Sequence, residues 1–336
     1  MKFTTSISAL FTMTQLLAFQ SLLPRAVQGF AFARSARPSL LKMSTQSVST
    51  TAQVPAPTEP TIRVIPNDRL YVSEPEPQWF GNGPNTPEDP AWSNDNWLKS
   101  RFHFSFAEYM NYANTNFGVL RVMNDDLVQP HRGFGAHPHS NVEIITYIVE
   151  GELTHQDSNG NRESLGRGSV QFMTAGTQVY HTEHNLGDKP LRFIQTWIVP
   201  AARNLEPNYG SYAPTTLDDH KNTLKHIVSD AKDTETSTPV KINQDVNAFA
   251  AELELGESVD LELGEDRQAY LLCVEGGIEV NGKTLSKYDA SEIYGSEGGK
   301  LTIKATDVED TESGSVAHFL LLTMKKIPGS GREDLE

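Results

Sequence analysis

From Trp97 onward the chain alternates short apolar runs with turn signals. The runs are "RFHFSFAEYM", "FGVLRVMNDDLV", "VEIITYIVEGELTHQD", "SVQFMTA", "QVYHTEHN" and "LRFIQTWIVP". All are rich in β-branched and aromatic residues, which predicts strands. "DSNGN" (157–161) and "GRGS" (166–169) read as turns between them. Many short strands at this spacing predict an all-β chain built as a barrel or sandwich. A less regular connector spans 206–240, with "LKHIVSD" as one more strand. Strands then resume. "YLLCVEGGIEVNG" parallels "TYIVEGELTHQDSNG": an apolar run, Glu-Gly, and a strand into Asn-Gly. That self-similarity predicts an internal duplication, with one β domain at 94–205 and a second at 241–328.

The ends break the pattern. Residues 61–93 are proline-rich and polar with isolated aromatics, and read as an irregular arm with one short strand. Residues 329–336 read as a disordered tail. Residues 1–29 open on Lys2, continue with an apolar run from Ile7 to Leu23, and close on small residues, the shape of a signal peptide. Residues 30–60 are Ser/Thr/Ala/Pro-rich with no acid before Glu59, which is transit-peptide composition. The junction "VQGFAFARSARP" resembles bipartite plastid leaders of algae with secondary plastids, where an aromatic residue such as Phe30 follows the cleavage site. The expectation is a plastid protein, with secretion as the alternative and no membrane span in the mature form.

Charge narrows the partners. The net charge is −15 and the first 58 residues carry five bases and no acid. The remainder is therefore near −20 by subtraction of those five. Such a body repels phosphate backbones, so direct nucleic-acid binding is not expected. A protein partner stays open. The single cysteine, Cys273, sits in an apolar run and reads as a core residue.

The chemistry concentrates in "AHPHSNVEIITYIVEGELTHQDSNG" (136–160) and "VYHTEHN". Strand side chains alternate faces, so His137 and His139 share a face, as do His181 and Glu183. Glu143 would join the first pair if its strand ran regularly. If the two strands lie close, three imidazoles and a carboxylate converge. That donor set suits iron, nickel, copper, manganese, cobalt or zinc, with room for water as in a catalytic site. His184 should face away from Glu183, and His155 should be at best a neighbour of the ligands. His103, His131, His220, His226 and His318 read as ordinary core or surface histidines.

At this point the residues resemble the pirin family of bicupins, and its quercetinase-like members in particular. The resemblance covers roughly 95–210, through "FGAHPHSNVEIITYIVEGELTHQDSNGN", "GSVQFMTAGTQVYHTEHN" and "PLRFIQTWIVP". The second domain matches in pattern only. The general cupin signatures are met loosely: Thr174 stands where proline is usual, and four residues separate Gly176 from His181 where two are usual. The resemblance implies two cupin (jelly-roll) barrels in tandem. It implies one divalent metal, usually iron, held by His137, His139, His181 and Glu183, where the wider cupin pattern would use Glu143. It also implies a metal-free second domain. The activity implied is that of a quercetin 2,3-dioxygenase, acting on a small aromatic substrate and dioxygen, with Glu183 as the catalytic base. Phe134, Met173 and Tyr180 would line the pocket. The alternative implied by other members is a non-enzymatic, iron-dependent redox regulator that binds a protein partner.

Overall fold

The computed structural model describes residues 59–83, 92–295 and 298–327. The signal peptide, nearly all of the transit segment and the tail expected from the sequence lie outside these residues. In chain order the strands begin with β1 (Thr61–Ile65), β2 (Tyr71–Ser73), β3 (Leu98–Phe102), β4 (Leu120–Val128), β5 (Gly133–His139) and β6 (Glu143–Glu150). They continue with β7 (Leu153–Asp157), β8 (Arg162–Leu165), β9 (Val170–Thr174), β10 (Val179–His184) and β11 (Leu191–Ile198). Next come β12 (Asn208–Tyr212), β13 (Lys225–Asp230), β14 (Val240–Ile242), β15 (Val246–Leu253), β16 (Ser258–Leu263) and β17 (Arg267–Glu275). The last six are β18 (Gly277–Val280), β19 (Lys283–Ser286), β20 (Ala290–Gly295), β21 (Gly299–Asp307), β22 (Glu309–Thr311) and β23 (Gly314–Lys325). Among the described residues the only helical elements are short 3-10 turns. The chain is all-β.

Each half is a large sheet backed by a four-stranded one. The first half pairs the sheet β12-β9-β6-β11-β4-β3-β2 with β5-β10-β7-β8. The second pairs β1-β20-β17-β23-β15-β13-β14 with β16-β21-β18-β19. The two large sheets share one core. Ile145, Tyr147, Val149 and Ile194 from the first meet Tyr270, Leu272, Val274, Leu320 and Leu322 from the second. This explains "IITYIV". Its alternate residues Ile145, Tyr147 and Val149 serve the junction, while Ile144, Thr146 and Ile148 face the interior of the first barrel. A strand buried on both faces reads as a continuous apolar run.

The parallel between the halves has a backbone cause. Gly151 and Gly276 follow the matching Glu residues and both take positive φ, 74° and 66°. A Cβ on Gly151 would lie 2.6 Å from the Pro190 carbonyl oxygen, and one on Gly276 2.6 Å from that of Asp307. Both halves turn here from the large sheet to the small one, and only glycine fits. Two segments depart from the reading above. β1, in the expected arm, pairs with β20 and so belongs to the second half's sheet. The expected connector contributes β12 to the first half's sheet and β13 to the second's.

Charge crosses the junction too. Arg167, from the "GRGS" turn, is buried and bonds Glu275 through two nitrogens at 3.1 and 2.6 Å and Glu252 at 3.0 Å. His318 Nδ1 lies 2.9 Å from Glu275, and its Nε2 lies 2.9 Å from the Tyr147 hydroxyl. The bonds to Arg167 and His318 hold the Glu275 carboxyl far below its ordinary range despite burial. Removing one partner of such a group strands charge away from water. Arg167→Met should therefore cost about 3–5 kcal/mol of stability in urea unfolding. A loss under about 1 kcal/mol, the worth of an exposed pair, would show that the network is not buried in this sense.

Candidate metal centre

The centre is built on the first half's small sheet. β10 lies between β5 and β7, so its side chains meet those of both neighbours. His181 stands opposite His137 on β5 and opposite Asp157 on β7, and Glu183 stands opposite His155. A bulge re-aims the pairing. Between its pairings with His181 and Glu183, β5 advances from His137 to Phe134, one residue more than β10. The Gly135 carbonyl in that bulge accepts a hydrogen bond from His137 Nδ1 at 2.7 Å. That fixes the tautomer and leaves His137 Nε2 as a bare lone pair. Gly133 is needed beside it, because a Cβ there would lie 2.3 Å from the Glu183 carbonyl oxygen.

His137, His139 and His181 bring one nitrogen each to within 4.8 Å of one another. His137 Nε2 and His181 Nε2 are 3.0 Å apart. Two ligands about 2.1 Å from one cation, at nearly a right angle, have this separation. His139 Nδ1 is buried with no hydrogen-bond partner. Burial pushes His137 down to about 4 and His139 and His181 well below their ordinary value. Burial thus favours the neutral form of all three, the form that binds metal. The donor set and the orphaned nitrogen fit a transition-metal ion.

Glu183 groups with His181 and His155 within the same 4.8 Å limit. Its Oε1 accepts from Gln171 Nε2 at 3.0 Å and Thr146 Oγ1 at 3.4 Å, and its Oε2 from Gln195 Nε2 at 2.8 Å. These donors form one row across the large sheet. Gln171, Thr146, Gln195 and Asn124 are successive register partners on β9, β6, β11 and β4. Burial outweighs these hydrogen bonds and raises the Glu183 carboxyl to about 7.

The other sequence-named residues separate. Glu143 is outside the cluster: its carboxylate accepts from Thr174 Oγ1 at 2.8 Å and from Asn243 Nδ2 of the second half at 3.0 Å. His155 is closer than a bystander, with its Nδ1 3.5 Å from His181 Nδ1. Phe134 packs near the His137 ring, Met173 is buried in an apolar cluster with Trp197 and Tyr209, and Tyr180 points outward and is exposed. Two walls escaped the sequence reading. Phe80, from the arm, sets its ring edge-on to His137 at 5.3 Å, and Trp197 does the same to His139 at 4.8 Å.

Comparison with known proteins bears on the family and the fold. A sequence profile described as Pirin matches residues 86–198, and one described as Quercetinase C-terminal cupin domain matches 227–312. A pirin-like protein of Caulobacter vibrioides is 39% identical over 216 residues, 64% of this chain and 90% of the relative. The chain belongs to the pirin family. A family relative from Escherichia coli K12, named quercetin 2,3-dioxygenase, is 34% identical over 60% of this chain and 85% of its own length. The fold matches crystallised YhhW of Escherichia coli with a TM-score of 0.64 and 27% identity, over 80% of this chain and 99% of that one. The same bacterial pirin crystallised with nickel(II) gives 0.63 over 80% and 100%.

Deeper in this barrel sits Asp126, buried opposite Ser100 and raised to about 8 mainly by burial. Its folded form keeps a proton that the unfolded chain releases near its ordinary value of 3.8. Stability from this residue is thus full below that value and is lost as pH rises toward about 8. Asp126→Asn should gain on the wild type in melting temperature across that window and level off above it. A difference that stays flat from pH 4 to 8 would show that Asp126 does not carry this proton.

Proposed function

We propose that the protein is a metal-dependent dioxygenase acting on a flavonol-type, quercetin-like substrate. In this reading His137, His139, His181 and Glu183 hold one divalent transition metal, iron in the native protein. The observation that carries it is the convergence of His137, His139 and His181, with the buried Glu183 carboxyl in an adjoining group that shares His181, in a family whose relatives include proteins named quercetin 2,3-dioxygenase.

When bound, the metal supplies Lewis acidity and an electronic link between substrate and dioxygen. The chain supplies the rest. The histidines present lone pairs without having to lose protons. Glu183 accepts the proton of the substrate's 3-hydroxyl, a general-base role that suits a carboxylate beside the reacting group. Phe80, Phe134 and Trp197 form an apolar wall against which an aromatic substrate can lie, as small-molecule sites require. The leader composition supports delivery of the mature chain to a plastid.

Protein loaded with iron, nickel or copper should consume oxygen with quercetin and release carbon monoxide. Intact metal binding without turnover for any of the three would reject the enzyme reading. Replacing His137 and His139 together by alanine should abolish metal uptake in elemental analysis. Full stoichiometry in that variant would reject the ligand assignment.

A further inference from the structure

The "HQD" of "THQDSNG" sets His155 and Asp157 two residues apart on β7, so both share the face that meets β10. Asp157 stands opposite His181, and His155 opposite Glu183. Both side chains are buried. His155 Nδ1 lies 3.5 Å from His181 Nδ1, and His155 Nε2 lies 3.5 Å from Asp157 Oδ2. These contacts are long, but neither His155 nitrogen nor His181 Nδ1 has a nearer partner among the described residues. The ring of Tyr209, from β12, stacks on His155 with centroids 4.6 Å apart and planes inclined by 15°. That flat contact limits tipping of the His155 ring.

The hairpin turn supplies an anchor. Asp157 Oδ1 accepts from the backbone N–H groups of Asn159 and Asn161 at 2.9 and 3.0 Å. Its Oδ2 accepts from Asn161 Nδ2 at 2.8 Å and faces His155. An ionised carboxylate only accepts, so His155 meets it by carrying its hydrogen on Nε2. In the neutral ring Nδ1 is then bare and can only accept. The hydrogen it can take is the one on His181 Nδ1. That leaves His181 Nε2 bare, 3.0 Å from His137 Nε2. One hydrogen per ring satisfies the whole chain. With the His181 hydrogen on Nε2 instead, the gap to His137 is filled, and lone pair meets lone pair at one end of His155 or the other.

We propose that Asp157 is a positioning residue that acts through His155 to hold the His181 hydrogen on Nδ1, so that Nε2 is free for the metal. The proposal rests on the metal-site reading above. His155 also groups with His181 and Glu183, and this assignment makes it a hydrogen-bond partner of a ligand rather than a ligand itself. Groups that orient ligand histidines change metal affinity by about tenfold to a hundredfold when mutated.

The test uses the full chain. In Asp157→Asn the two backbone N–H groups keep an oxygen at the Oδ1 position, so the new amide nitrogen faces His155 Nε2. Every hydrogen in the chain is then reversed. Cobalt(II) affinity is read by competition with a chelator, and melting temperatures are recorded for each variant. Asp157→Asn should weaken cobalt binding about tenfold or more. His155→Phe keeps a ring against Tyr209 and should weaken it too. Adding Asp157→Asn to His155→Phe should cost less than about twofold more, because the path is already cut. Wild-type affinity in Asp157→Asn would overturn the proposal. So would equal losses from Asp157→Asn with and without His155, the result expected of a turn that merely packs. The wild type alone gives a second readout. In zinc(II)-loaded protein at pH about 8, well above the ordinary imidazole value, nitrogen-15 shifts should place hydrogens on His181 Nδ1 and His155 Nε2. A hydrogen or a zinc ion on His155 Nδ1 would overturn the assignment. If the wild type takes up neither cobalt nor zinc, the metal reading falls and this proposal falls with it. Failure of the Asp157 proposal alone leaves wild-type uptake intact.

Discussion

The structure depends on one constraint: the large sheet of the first half is buried on both faces. One face packs against the large sheet of the second half through Ile145, Tyr147, Val149 and Ile194. The other face carries the row Gln171, Thr146, Gln195 and Asn124 into the barrel. Successive residues of one strand therefore serve two unrelated ends. The junction stiffens the strand, and the stiff strand holds the amides where Glu183 needs them. A site on a rigid element is held more closely than one on a loop. The second half acts, in this sense, as a brace for a candidate site it does not line.

The two barrels fill the same architecture with different matter. The interior of the second holds Ala251, Leu253, Leu271, Ile293, Ile303, Phe319 and their neighbours, an apolar packing that contributes stability. The interior of the first adds carboxyls, amides and imidazoles to its own apolar clusters. Buried polar groups cost free energy unless they are paired, and here each amide of Gln171 and Gln195 bonds the Glu183 carboxylate. A duplicated fold can thus carry two kinds of interior, one mainly apolar and one with a buried polar cluster.

Much of the candidate site was legible in the sequence because strand periodicity is simple. His137 with His139, and His181 with Glu183, declare shared faces by their spacing of two. Which of Glu143 and Glu183 lies beside a histidine was not legible from spacing. Asn243 reaches Glu143 across the junction, while β10 sets Glu183 opposite His155. Gln171 and Gln195 left a signal, a carboxamide inside an otherwise apolar strand, but their convergence depends on register among strands far apart in sequence. Tyr209 and Phe80 lie in stretches whose composition reads as irregular, and only tertiary packing brings them to the centre. The fold was legible as β-rich and duplicated, while the assignment of β1 to the second half's sheet depends on pairing over more than two hundred residues.

That pairing bears on what counts as a separable part. β1 covers the outer side of β20, matching Thr61 to Tyr294 and Ile65 to Ala290. A fragment cut out as the second barrel would lack this strand and would present β20 as a bare row of amide and carbonyl groups. Such an edge recruits other chains. The second barrel, though it resembles an independent module, is complete only with a ribbon contributed from before the first. The two halves are less like beads on a string than like a belt with one length tucked back under its last loop.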